Sequence, residues 1–278
     1  MIKRKIIDKI MQFLIYSCGV IVCGTLLFIF GYILIKGITS LNLNFFTRLP
    51  KPVGEKGGGM VNAIVGSFTL VGLASLWAVP LSLLAGVYLA EFSGKEKESK
   101  FASILRFLLD VLSGIPSIVI GIFAYSLVVV PMRKFSAISG AFALGMIMIP
   151  TIARTTEEMI RMVPRTIKEA SLALGISNWK TIVFVVLNTA KPGILTGILL
   201  AVARIFGETA PLLFTAFGNR FWHRSLTDPI AALPLQIFVY AISPYEDWHQ
   251  QAWAGALVLI LIVYSTILIS RKILLKYK

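Results

Sequence analysis

The chain has 278 residues, of which 57% are hydrophobic and 14% charged, against about 45–50% and about 25% in soluble domains. A mean hydropathy of +0.84 means more apolar surface than one core of this size can bury, which excludes an ordinary water-soluble protein and makes lipid the natural surrounding. The formal charge of +14 fits a nucleic-acid binder only if the basic residues gather on one face beside polar or aromatic readers; here they fall mainly between apolar stretches.

Six stretches are long and apolar enough to cross a hydrocarbon layer of about 30 Å as helices, near residues 13–35, 61–90, 103–130, 136–153, 181–206 and 251–270. They predict an all-α integral membrane protein, residues 1–278 forming one polytopic domain. The first stretch follows Lys3, Arg4, Lys5 and Lys9, but it is too long for a signal-peptide core and no small-residue cleavage site follows at once, so it reads as a retained span. Cys18 and Cys23 lie within it, five residues apart and on different helical faces, which argues against a disulfide or a metal pair. Between the first two spans, Gly57 to Gly59 reads as a flexible turn.

In the third span Gly114 and Pro116 predict a kink, and Arg106 and Asp110 are spaced to pair. The segment from Arg154 to Lys180 is too polar to lie in lipid and predicts a short helix over 164–174. Pro164 suits its first position, Thr166 and Glu169 have capping-box spacing, and Gly175 suits a left-handed stop. Ile167, Ala170, Ser171 and Leu174 then share a face, small in the middle and apolar at the ends. Periodicity alone leaves two readings open: an amphipathic connector on the membrane surface, or a helix that docks in a groove of another protein.

In the fifth span Gly193, Gly197 and Ala201 form a small-residue stripe for close helix packing, read first as packing within the chain. Arg204 and Glu208 come late in that span, where an unpaired ion costs at least a few kcal/mol, and their four-residue spacing puts them on one face. Either they neutralise each other structurally, or Arg204 lines an anion path with Glu208 orienting it. A seventh apolar stretch, Leu226 to Ile242, is interrupted by Pro229 and Pro234 and reads as re-entrant or interfacial.

With six spans and a cytoplasmic start, the inside segments hold sixteen Lys and Arg and the outside segments eight, which places both termini and the 154–180 loop in the cytoplasm. A seventh span would put the basic tail outside. The +14 is thus largely a membrane-topology signature, and nucleic acid is not an expected partner. No G-x-x-x-x-G-K-[ST] loop, nucleophile elbow or metal-ligand cluster occurs, and His223 and His249 read as surface or interfacial residues rather than metal ligands. These absences point away from an enzyme and from any cofactor bound by this chain.

Glu169-Ala170-Ser171 followed by Gly175 resembles the EAA loop of bacterial ABC-importer permeases, the coupling helix that docks on an ATP-hydrolysing subunit. Two departures from that pattern occur: its later I-x-L-P is replaced by Val185-Val186-Leu187-Asn188, and Ser171 stands where it has a second alanine. A more extensive resemblance, over roughly residues 40–275, is to phosphate ABC-transporter permeases of the PstA type. It is carried by Arg204 to Thr215 (RIFGETAPLLFT), Arg154 to Glu158 (RTTEE), Ser113 to Val119 (SGIPSIV) and Tyr88 to Glu91 (YLAE).

The resemblance implies phosphate import across a bacterial plasma membrane. It implies a sister permease in a heterodimer, two ATP-binding subunits that would carry the ATP-Mg, and an extracytoplasmic phosphate-binding protein. Under it, Arg204, Glu208 and, at the inner end of the fourth span, Arg154 are the expected substrate path; Pro164, Ile167, Glu169, Ala170, Ser171 and Gly175 are the expected ATPase-coupling residues. An importer for another anion such as molybdate or a phosphonate is the nearest alternative, ahead of a channel or an intramembrane enzyme.

Overall fold

The computed structural model describes residues 2–53, 55, 57–92 and 100–276. Lys56, Lys95, Lys97 and Lys278, counted in the charge asymmetry, lie outside the described residues. The described chain is helical, with a single isolated bridge between Phe217 and Ile230.

Five helices are long and apolar enough to cross a membrane: Ile7–Ile38, Val61–Glu91, Ala137–Arg161, Asn178–Phe206 and Glu246–Ile273. The stretch expected as the third span is instead two helices, Lys100–Gly114 and Ser117–Met132, bent by 108°. The sequence reading of one kinked helix is corrected here. Pro116 takes an extended backbone (φ −57°, ψ 138°) and has no N–H to continue the ladder, so the break is a corner. We number these five helices and the bent pair in chain order as spans 1 to 6.

Spans 2 and 4 form the densest contact of the bundle, with span 5 on the other side of span 4. Leu70, Ala74 and Ala78 of span 2, Leu144, Met148 and Ile152 of span 4, and Ala201 and Ile205 of span 5 make the main core. Close approach depends on missing side chains: a Cβ on Gly86 would sit 2.6 Å from Cβ of Thr156 and 2.7 Å from the Ala153 carbonyl. Span 4 starts on a capping box in which the Ser136 hydroxyl accepts from the Ser139 amide at 3.1 Å. It continues to Arg161, two turns beyond its expected end. Residues 154–161 remain amphipathic, with Thr156, Glu157 and Ile160 buried while Glu158 is exposed, so the helix runs on past the apolar stretch.

The small-residue stripe of span 5 meets span 4: a Cβ on Gly193 would overlap Met159, and one on Gly197 would overlap Thr155, while Ala201 is buried. Span 5 begins with a π-helical stretch over Thr181–Val186. Span 1 is peripheral. It touches span 6 near its C-terminal end, where Tyr32 packs edge-on to Trp253 and Gly37 abuts Leu257; Cys18 and Cys23 are exposed and free. The interrupted stretch 226–242 folds as a buried run, Ile230 to Leu233, entering a nine-residue helix, Leu233–Ala241. At about 1.5 Å per residue that helix is too short to cross, and the Leu233 amide is held by the Ser67 hydroxyl at 2.7 Å. This agrees with the re-entrant or interfacial reading.

Candidate functional site: two charged clusters and a docking helix

The first cluster is centred on Glu157, whose side chain is only 5% exposed. Its carboxylate is 3.0 Å from Nη2 of Arg106, 2.8 Å from Nη2 of Arg161 and 3.5 Å from Nη1 of Arg154. Arg154 also pairs with Asp110. The expected Arg106–Asp110 pair does not form. Both side chains point across to span 4, where Glu157 and Arg154 provide buried or half-buried partners, and a local pair along one exposed helix is worth only a few tenths of a kcal/mol. Arg154 thus has two carboxylate partners and keeps about a third of its side chain exposed.

In the sequence Glu157 stands out only as part of the RTTEE motif. The available signal was its spacing: Arg154, Glu157 and Arg161 stand three and four apart, on one helical face.

The second cluster is Arg204 with Glu208. Arg204 occupies the last turn of span 5, and Glu208 sits in the break after Gly207. Their closest N–O separation is 3.8 Å, an ion pair without a hydrogen bond. Arg204 is 56% exposed on the chain's surface while Glu208 is 16% exposed, so the guanidinium faces outward from the chain. The two clusters are apart: Thr155, next to Arg154, lies against Gly197, and Arg204 is two turns further on, about 10 Å along the helix.

The short helix of the 154–180 segment runs Arg165–Ala173. Pro164 is its N-cap, in extended conformation, so Thr166 falls inside the first turn and the expected capping box does not form. Gly175 has φ +81°, its amide donating to the Leu172 carbonyl at 2.9 Å, which is the left-handed stop its position suggested. Ile167, Glu169, Ala170 and Leu174 are exposed. Ser171 is not on that outer face: it is buried, and its hydroxyl is 2.9 Å from that of Thr181 at the start of span 5. The helix is therefore pinned by its serine and exposes Ile167, Ala170 and Leu174 together with the charged Glu169.

Comparison with known proteins accords with this arrangement. The sequence model described as "Binding-protein-dependent transport system inner membrane component" matches residues 78–277. A phosphate transport system permease protein PstA of Haemophilus influenzae is 47% identical over 260 residues, covering 94% of this chain and 91% of the relative. A probable phosphate transport system permease protein PstA of Methanocaldococcus jannaschii is 38% identical, covering 93% and 90%. Among solved structures, an inward-facing MetNI methionine ABC transporter superposes with a TM-score of 0.65 at 16% identity over 79% of this chain and 97% of that one, a likeness of fold alone. A helical bundle of up to six spans, a short Gly-stopped helix between spans 4 and 5 and a family match over most of the length lead to one assignment: the chain belongs to the family of inner membrane components of binding-protein-dependent transport systems.

Proposed function

We propose that the chain is a permease subunit of an ATP-driven importer of inorganic phosphate. It forms half of a heterodimeric pathway with a sister permease, and ATP is hydrolysed on two separate subunits that hold the ATP-Mg. An extracytoplasmic phosphate-binding protein delivers the substrate. The chain lies in a bacterial plasma membrane with both termini cytoplasmic, and no cofactor is bound by it. The observation that carries the reading is the near full-length identity to permeases named for phosphate transport, with the Gly207-Glu208-Thr209-Ala210-Pro211 string placed where span 5 ends beside an exposed Arg204.

In this reading phosphate meets Arg204 first. The guanidinium offers two parallel N–H donors to an oxyanion, and Glu208 at 3.8 Å holds the fork in place without occupying its donors. Arg154 receives the anion further along, where Asp110 and Glu157 act as resident counter-ions between transport events. The helix 165–173 lays Ile167, Ala170 and Leu174 into a groove on the ATPase, with Glu169 at the contact and Gly175 setting the exit angle. Purification in mild detergent tests the assignment. The chain should bring with it an ATPase of the P-loop type and a second permease, and the reconstituted complex should take up phosphate in preference to molybdate or a phosphonate. Recovery of the chain alone, or preference for another anion, would count against it.

A further inference from the structure

The helix 165–173 is attached to the bundle at two polar points on its inner face. Ser171 bonds to Thr181 of span 5, and Lys168, one turn earlier on the same face, forms an ion pair with Glu91, the last residue of span 2. Glu91 is 8% exposed and Lys168 26%. Against the helix lies an open cleft of about 690 Å³, lined among others by Ala90, Ile160 and Arg161 and, from the helix, by Lys168, Glu169 and Leu172. The helix packs chiefly on the first turns of span 5, so across the cleft the Lys168–Glu91 pair is what binds it to span 2. The end of span 2 is held on its other side too, because the Leu89 carbonyl accepts from both Arg106 and Arg161 at 3.5 Å. Span 2 is a 31-residue helix with Pro80 in its interior; its far half reaches the Ser67–Leu233 bond, and it makes the densest contact with span 4, which carries Arg154. A displacement applied at Glu91 therefore acts on the end of span 2 that follows Pro80 and, through its packing, on span 4.

We propose that Glu91 and Lys168 are positioning residues that pass the movement of the docking helix to span 2, so that ATP hydrolysis and opening of the pathway stay linked. This rests on the docking of helix 165–173 to the ATPase, argued above. A buried carboxylate that loses its only cation on the opposite helix cannot keep the two elements in register, whereas exchanging the partners restores the pair.

The test uses the complete transporter in proteoliposomes, with sister permease, ATPase and binding protein, and reads ATP hydrolysed per phosphate taken up. Glu91→Gln and Lys168→Met should each lower uptake about tenfold with a smaller loss of ATP hydrolysis, so that the ratio rises several-fold. The exchange Glu91→Lys with Lys168→Glu should return it toward the parental value. A cysteine at position 167, cross-linked to the ATPase, reports docking in every variant. If the cross-link forms and the single variants keep the parental ratio, the tie is refuted while docking stands; if the parental protein gives no cross-link, docking itself is refuted. Should the single variants fail to assemble, the exchange variant decides: a parental ratio supports the tie, and a raised ratio in an assembled complex overturns it.

Discussion

Replacing Glu157 by Gln removes the charge at the centre of the larger cluster while keeping its shape. Three guanidiniums lose their shared counter-ion, but not equally. Arg161 is half-exposed and Arg154 one-third exposed, and Arg154 keeps Asp110, so each of these pairs is worth about 0–1 kcal/mol. Arg106 is 20% exposed and faces a carboxylate that is 5% exposed; breaking a buried pair of this kind costs about 3–5 kcal/mol, a large part of the roughly 5–15 kcal/mol by which proteins are stable. The expected loss for Glu157→Gln is dominated by the Arg106 pair, at least about 3–5 kcal/mol, and for Arg161→Ala it is under about 1 kcal/mol. Thermal unfolding of the detergent-solubilised complex and the amount of chain in the membrane would measure both, since 1–2 kcal/mol already changes abundance several-fold. Equal, small losses in the two variants would refute the view that Glu157 is the structural centre of the cluster.

Two further outcomes are expected. In a background lacking Cys18 and Cys23, a cysteine at position 168 should be protected from an impermeant thiol reagent added outside intact cells; labelling there would reverse the orientation. Gly175→Val places a β-branched side chain at φ +81°, at a cost of about 1 kcal/mol or more, and Glu169→Lys reverses a charge on the outer face of the docking helix. Both should lower phosphate uptake with unchanged membrane abundance, and parental uptake in both would remove the coupling role.

The long helices and the glycine stop were legible because hydropathy, capping and positive φ are local properties. The 108° corner at Pro116 was only half legible. A proline after a glycine announces a break, but its angle is set by the packing of Ser117–Met132 against span 4 and the helix Ala210–Thr215. The partners of Arg106 and Asp110 were misread for a related reason: pairs along one helix can be counted in the sequence, whereas Glu157 and Arg154 come from 44 to 51 residues away. Ser171 shows the same limit. Its place in the periodicity fits the outer face, and only the start of span 5, folded back behind the helix, turns it into an anchor. The Arg204–Glu208 pair could be read from a spacing of four alone, but the exposure of one partner and burial of the other could not.

The central claim, that phosphate passes along Arg204, is tested most directly by uptake of labelled phosphate by Arg204→Ala, Arg204→Lys and the double variant Arg204→Ala with Glu208→Ala, each corrected for membrane abundance. If the pair were only structural, removing both ions would leave no unpaired charge and uptake would recover. The account predicts instead that Arg204→Lys is impaired, because a compact ammonium lacks the planar fork, and that the double variant is abundant, assembles with its ATPase and does not transport. Parental uptake by the double variant would contradict it.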